Sequence, residues 1–426
     1  MNIYPEIGIE MYPTILIKMK RNYLILFLLL IGFGLQAQES QPLPGSSVRY
    51  YRLINRENKE IIPPVYTKME KLSSDYLSVE EMNNRGVINK KGKTVVPADH
   101  AFLTYVNDKL FIVGDFTYEH GYQYGVVNER NKVLLPFEYE EIKHWKDDLF
   151  FVKKGQWGVI NLKGEEIQPM MYNWVIPYDN GLAAVRISGR FAMMTTQWEL
   201  VTPFSYEPAS FNEGIIVSAT GLFGNFGAYD LKGNTIVPYD RGYNWISPFV
   251  DGYAYFQTKE DRWGVINDKG EEIIPAIYSF VATNTIRMEG QEDAQPIFSD
   301  GLACVADGYD YGAIDKEGSV VIPFIYNFIY PFRDGCAIAV NKQGKYGVIN
   351  TKGEEVIPFR FDRIDFPFVN GYASAVRNIS ESESKMGIID IEGNIIMPFE
   401  YTFIQYYTDD LFISEKETGL ALKETP

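Results

Sequence analysis

The sequence predicts an all-β tandem-repeat protein. Three observations carry this reading: a proline that returns about every 35 residues, a turn signature five residues before each of those prolines, and no sustained helical period after the first 37 residues. The prolines are Pro63, Pro97, Pro136, Pro169, Pro203, Pro238, Pro275, Pro323, Pro358 and Pro398, separated by 34, 39, 33, 34, 35, 37, 48, 35 and 40 residues.

The unit is clearest in WGVINLKGEEIQPMMY, Trp157 to Tyr172, and WGVINDKGEEIIPAIY, Trp263 to Tyr278. Each splits into two strands around a four-residue turn that opens on Asn161 or Asn267 and closes on Gly164 or Gly270. An Asx residue first and a Gly fourth suit a type I turn followed by a bulge residue of positive φ. Across the ten units the fourth position is Asn58, Gly92, Asn131, Gly164, Trp198, Gly233, Gly270, Gly318, Gly353 or Gly393. Asn is the side chain that best tolerates left-handed backbone, so nine of the ten fit. The fifth unit, with Thr195 first and Trp198 fourth, lacks this chemistry, which predicts a distorted or longer-armed hairpin there.

Before six of the turns stands an aromatic-glycine pair, Tyr124-Gly125, Trp157-Gly158, Phe226-Gly227, Trp263-Gly264, Tyr311-Gly312 and Tyr346-Gly347, with Arg85-Gly86, Phe191-Ala192 and Met386-Gly387 as variants. Glycine weakens a strand and recurs where something flat must approach the backbone, so a ring from a neighbouring repeat is expected over that bare Cα. Three residues after proline the chain places Tyr66, Tyr139, Tyr172, Tyr206, Tyr278, Tyr326 or Tyr401, the expected repeat core. A third strand follows a tight turn at Asp179-Asn180-Gly181, Asp251-Gly252, Asp300-Gly301, Asp334-Gly335 or Asn370-Gly371. Each unit therefore reads as about three short strands.

These motifs resemble the bacterial WG repeats, also described as KWG repeats, whose consensus is close to WGVIDxxGxxVIPxxYDxxxxFxDGLAxV. The resemblance covers roughly residues 48–422; the first unit, with Tyr51-Arg52 in place of the aromatic-glycine pair, and the fifth depart from it. It implies a repeat scaffold, often exported, with no catalytic residues to carry over.

Ten units of three strands fit poorly with a propeller, which typically has 4 to 8 four-stranded blades, so the expected architecture is an open, twisted, solenoid-like array. A closed propeller-like ring is the alternative. In a ring Thr418 to Leu422 would pair with the first unit; in an open array it would cap the last one.

The expected organisation is an N-terminal extension and signal peptide over 1–37, a short polar linker over 38–47, one repeat domain over 48–422 and a tail over 423–426. Lys20-Arg21, the apolar run from Tyr23 to Leu35, and Gln36-Ala37 have the pattern of an export signal, with Met19 the expected true start. The apolar run is short for a membrane span, no transmembrane segment is expected in the mature chain, and no cysteine follows the cleavage site to carry a lipid. Export ends in the periplasm or outside the cell.

The formal net charge is −16; residues 1–37 carry three basic and two acidic groups, so removing them gives −17. Such a balance opposes phosphate binding and argues against nucleic acid as partner. Cys304 and Cys336 occupy equivalent strands of adjacent units with matching parity, so a disulfide and two buried thiols both remain open.

No residue reads as catalytic, cofactor-binding or metal-ligating. His100, His120 and His144 lack HxxH or HExxH spacing, and His100 falls where other units place tyrosine. One Asp per unit, such as Asp300 or Asp334, is too few for a calcium shell and reads as turn chemistry. Glu165-Glu166, Glu271-Glu272 and Glu354-Glu355 recur just after the turn, where successive side chains point to opposite faces, so they are not read as a hydrolytic pair. No GxSxG motif or P-loop occurs.

Aromatics off the motif include Tyr105, Trp145, Trp174, Trp245, Tyr255, Tyr309 and Tyr406, read first as core filling and otherwise as sugar- or peptide-stacking rings. Two polar departures from the period, Asn284 to Pro296 and Asn378 to Lys385, read as surface loops. The expected function is an exported, non-catalytic scaffold that binds another protein, with no cofactor. A carbohydrate-binding module, and a structural spacer or assembly protein, are the alternatives.

Overall fold

The computed structural model describes residues 49–417 apart from 108, 179–180, 189, 205–207, 221–223, 282–295, 366 and 381. Forty strands form ten four-stranded antiparallel sheets. Strands are lettered A to D in the order in which they hydrogen-bond across one sheet. In the first blade these are Lys68–Lys71, Tyr76–Glu81, Asn84–Asn89 and Thr94–His100. Eight further blades follow at 102–139, 141–172, 174–204, 208–237, 245–278, 280–326, 328–361 and 363–401.

The tenth blade is built from both ends of the described chain. Its A and B strands are Ile404–Thr408 and Leu411–Glu417; its C and D strands are Arg49–Asn55 and Glu60–Tyr66. Arg49–Asn55 pairs with Leu411–Glu417 over seven consecutive residues, from Arg49 opposite Glu417 to Asn55 opposite Leu411. The protein is therefore a closed ten-bladed propeller, and the open array expected from sequence is wrong.

Two physical reasons account for that miss. A strands are short, only two residues in Trp245–Ile246, Phe280–Val281, Phe328–Ile329 and Arg363–Ile364, too short to leave an alternating pattern in sequence. Each unit therefore has four strands, one of them hidden, so the argument against a propeller fails. The closing strand is Leu411–Glu417, whereas the segment expected to cap or close the array, Thr418 to Leu422, lies outside the described residues, as do the expected signal peptide and linker.

A strands lie nearest the axis, because their side chains reach the A strands, or the segment just after one, in adjoining blades. Lys71 Nζ donates to the Tyr407 carbonyl at 2.8 Å, Lys143 Nζ to that of Val175 at 3.2 Å, and Asn212 Nδ2 to that of Phe249 at 2.7 Å. D strands form the outer rim, each paired only with its own C strand. The recurrent proline sits there. A residue without an N–H is tolerated on an edge strand, and it blocks another chain from adding a strand at that position.

The C–D hairpin follows the turn chemistry read from sequence. All ten residues at its fourth position have positive φ, from 56° at Asn131 to 83° at Gly233, Trp198 among them at 68°. The leading Asx caps the turn: Asn350 Oδ1 accepts from Lys352 N at 2.9 Å and Glu354 N at 3.0 Å. The fifth unit is not distorted. Thr195 Oγ1 accepts the equivalent pair, from Gln197 N and Glu199 N at 3.2 Å each, and Trp198 N reaches the Thr195 carbonyl at 3.0 Å. The Trp198 ring packs at 64° on Trp145 of the preceding blade, 5.8 Å between centroids, and this contact holds its strained backbone.

Past the turn, four D-strand residues span two C-strand residues. In the sixth blade Trp263 lies opposite Tyr278 and Val265 opposite Ile274, leaving a bulge around Pro275. The bulge presses on the motif glycine. A Cβ on Gly347 would sit 2.7 Å from the Ile357 carbonyl oxygen and 2.9 Å from the Phe359 ring; on Gly312 it would sit 2.6 Å from the Ile322 oxygen and 3.1 Å from Phe324. The ring over the bare Cα thus comes from the same hairpin, one residue after proline, rather than from a neighbouring repeat.

Apolar side chains are buried between blades rather than in one centre. Leu302, Cys304, Ala313, Ile322 and Tyr326 of the seventh blade pack against Ile329, Phe332, Ala337, Ala339 and Ile349 of the eighth. Repetition of such interfaces lets the fold grow without a common core. Among the described residues no helix is long and apolar enough to cross a membrane.

Candidate interaction surface

Antiparallel order places A–B and C–D turns on one face of the ring, and B–C turns with D–A connections on the other. The A–B turns of the fifth to ninth blades are two-residue hairpins of the type I′ class, with positive φ at both residues. Asp251 and Gly252 have φ of 51° and 77°, and Val250 and Tyr253 exchange backbone hydrogen bonds at 2.8 and 3.1 Å. Their acids stitch blades together: Asp300 accepts from Gly335 N at 2.8 Å, and Glu213 from Asp251 N and Gly252 N at 2.7 and 2.9 Å. Among the described residues no group of three or more His, Cys, Asp or Glu is arranged to hold a metal ion.

The paired glutamates are braces. Asn161, Asn267 and Asn350 each donate Nδ2 to the first glutamate of the pair, Glu165, Glu271 or Glu354, at 2.7 Å. His100 is buried, stacked on Phe137 at 5.9 Å and 14°, with Nδ1 3.0 Å from Asp115 Oδ2. His144 meets the Asp147 carbonyl through Nε2 at 3.1 Å, and His120 is exposed beside Glu119.

Cys304 and Cys336 are both free. Each faces the blade that follows its own: Cys304 packs into the interface between the seventh and eighth blades, and Cys336 against that between the eighth and ninth. The sheet of the eighth blade stands between them, so matching parity does not bring them together. Burial pushes the Cys304 thiol far up, and Cys336 is raised by burial and then by Asp300 and Asp334.

Of the seven off-motif aromatics, five pack into the wheel. Trp145 is buried and donates Nε1 to the Leu182 carbonyl at 2.9 Å; Tyr406 is buried against Phe412 and Tyr372; Tyr105, Trp174 and Tyr255 lean on Phe111, Phe191 and Trp263. Trp245 and Tyr309 are exposed.

Exposed large apolar side chains fall mainly on two parts of the wheel, singly along the outer D strands, as at Ile61, Ile277 and Ile325, and on the B–C turns. Met82, Tyr309 and Ile379 sit at the tips of three such hairpins, and Trp245 and Phe280 open A strands on the same face. The polar extension at 378–385 lengthens one of these hairpins, pairing Arg377 with Lys385 and Asn378 with Ser384. The insertion 284–296 lies, but for Pro296, outside the described residues.

Sequence reasoning missed the most prominent hairpin, strands Leu110–Thr117 and Gly121–Asn128 of the second blade. Each has eight residues, where most B and C strands have five or six. Phe116, Tyr118 and Tyr122 stand exposed at its tip. The signal was the 39-residue interval between Pro97 and Pro136, together with the run FTYEHGYQY.

A family model described as WG containing repeat matches eight segments, 51–85, 124–156, 157–191, 226–261, 263–284, 311–346, 346–378 and 386–416, together more than half of the chain. No curated protein matches in sequence. Solved structures with a similar course include a crystal structure of the eukaryotic initiation factor, 11% identical, covering 80% of this chain and 98% of that one with a TM-score of 0.40. Others are the computationally designed Ika8 protein, at 12% identity, 69% and 93% coverage and TM-score 0.31, and BamB from Moraxella catarrhalis, at 8%, 82% and 96%, and 0.29. Scores this low carry no argument about what this chain binds.

Proposed function

The chain belongs to the family of WG-containing repeat proteins, and on that basis we propose that it is an exported, non-catalytic scaffold that binds another protein through the face carrying its B–C turns. One observation carries this reading: Met82, Phe116, Tyr118, Tyr122, Tyr309 and Ile379, all exposed, stand on B–C hairpins of four blades. Exposed large apolar groups held on a rigid frame commonly mark contact sites, and several weak contacts spread over blades sum to useful affinity. Lys20-Arg21 and the apolar run after them support export.

The test is affinity capture from a native envelope extract, with the chain beside a variant carrying alanine at Met82, Tyr118, Tyr309 and Ile379. A stoichiometric protein retained by the first and lost by the second is the expected result. Equal retention by both would move the contact elsewhere, and no retention by either would remove the scaffold reading. Panels of ester and polysaccharide substrates are expected to show no turnover.

A further inference from the structure

The hairpin of the second blade differs from the eight other B–C hairpins in the length of its strands and in the three exposed rings at its tip. Its tip is built rather than loose. Thr117 pairs with Gly121, the Thr117 hydroxyl accepts from His120 N at 3.1 Å, and Gly121 takes φ of 73°. Gln123 Nε2 donates to the carbonyls of His120 and Tyr122 at 3.2 and 3.1 Å.

On this frame Phe116 stands at 81° to Tyr118, with centroids 5.8 Å apart, and at 68° to Tyr122, 5.3 Å apart. Tyr122 continues to Tyr124 at 6.4 Å, and Tyr124 is anchored edge-on to Phe102 at 5.1 Å. Gly114 makes room for that anchor, since a Cβ there would meet the Tyr124 ring at 2.6 Å. The outer rings are held by a chain of ring contacts that ends in the blade. Tyr118 itself is fully exposed, at 103% of its reference surface.

The hairpin itself is acidic. Between Leu110 and Asn128 the sequence has Asp115 and Glu119 and no lysine or arginine. The ion-pair partners of those two acids are histidines: Asp115 faces His100 at 3.0 Å, and Glu119 faces His120 at 3.7 Å. Burial first, then Tyr122 and Glu141 on the next blade's A strand, disfavour ionisation of Tyr124. Rings whose faces carry negative quadrupole density, set among carboxylates, attract a cation and gain nothing from an anion. The chain's charge of −16 adds a long-range pull of the same sign.

We infer that Phe116, Tyr118 and Tyr122 form a reading head for a basic segment of a partner protein, seating an arginine or lysine side chain against ring faces with Asp115 and Glu119 nearby. This rests on the protein-scaffold reading and names the chemistry of its partner. The proline-bearing rim does not compete for the role, because its bulged D strands offer no regular edge for a peptide to extend.

The experiment titrates the full chain with labelled oligoarginine and oligoglutamate peptides at physiological salt, beside Phe116→Leu, Tyr118→Ala and the control Ile325→Ala, an exposed position on the outer D strand of the seventh blade. None of these substitutions changes net charge, so diffuse attraction to an acidic protein is constant across the series. Oligoarginine alone is expected to bind, with about tenfold loss for Phe116→Leu and Tyr118→Ala, none for Ile325→Ala, and unchanged melting temperatures. Equal oligoarginine affinity in all four proteins, or no binding by the unsubstituted chain, overturns the inference. Envelope capture separates the two claims. A partner retained equally by Phe116→Leu and Tyr118→Ala keeps the scaffold and sinks the reading head. Ring-dependent oligoarginine binding with no captured protein sinks the scaffold alone.

Discussion

Tyr278 and Phe324 stack across the boundary between the sixth and seventh blades, their centroids 6.2 Å and their planes 20° apart. Phe324 also covers the bare Cα of Gly312 in its own hairpin. The same seam recurs as Tyr326 on Phe359 and Phe361 on Phe399, and His100 on Phe137 is its one imidazole version. The motif glycine, the ring after proline and the preceding blade's aromatic residue three positions after its own proline are parts of one contact.

Gly347→Ala is therefore expected to destabilise the protein by about 2 to 4 kcal/mol, because the added methyl meets the Ile357 carbonyl and the Phe359 ring, neither of which has room to withdraw. Gly301→Ala has open space around its Cβ but must hold φ of 81°, and should cost only about 1 to 2 kcal/mol. Urea unfolding of both variants decides it; a Gly301 variant as damaged as the Gly347 one would refute the packing argument.

Trp198 supplies a test of opposite sign to ordinary propensity. Alanine there loses the Trp145 contact and keeps the left-handed strain, whereas glycine loses the contact and relieves it. Trp198→Gly should be more stable than Trp198→Ala by about 1 kcal/mol in thermal melts.

Alkaline pH should open the ring. Burial, then the hydrogen bond to Glu415, pushes Tyr51 up to about 12, and burial is the leading cause for Tyr139, Tyr178, Tyr243 and Tyr330, each also at about 12. In the unfolded chain these phenols ionise near 10. Unfolding thus releases protons between pH 10 and 12, and stability that is fully present below pH 10 is lost across that window. Circular dichroism and phenolate absorbance should change together. Phenolate signal complete at pH 10 with the fold intact would contradict this.

The thiols should differ in reach and stay unbridged. Cys336, partly exposed, should alkylate in the native protein, and Cys304 only on unfolding. Mass spectra with and without reductant should be identical; a two-dalton difference would show a bridge that the intervening sheet forbids.

Some of this was legible in the chain and some was not. The C–D turn is local chemistry, an Asx oxygen reaching two amides and a residue of positive φ, so Asn350 and Gly353 announce it unaided. Thr195 and Trp198 show the limit of that logic, since a hydroxyl replaced the Asx oxygen and a partner ring 53 residues away held the backbone. Closure depended on pairing Arg49–Asn55 with Leu411–Glu417, a relation that no local pattern contains, and on A strands as short as Phe328–Ile329. The aromatic head was missed because Phe116, Tyr118 and Tyr122 occupy the tip of a lengthened hairpin, where repeat comparison has no equivalent position to compare.

The shared tenth blade also sets a clock. On the ribosome Arg49–Asn55 is made early, yet the strand that completes its sheet, with Glu415 awaiting the Tyr51 hydroxyl at 3.0 Å, is made about 360 residues later. At typical rates of synthesis that interval is roughly 20 to 70 seconds. Throughout it, nine blades' worth of chain exists with one hairpin waiting at the front, so the order of manufacture, more than the strength of any contact, decides how long the wheel stays open.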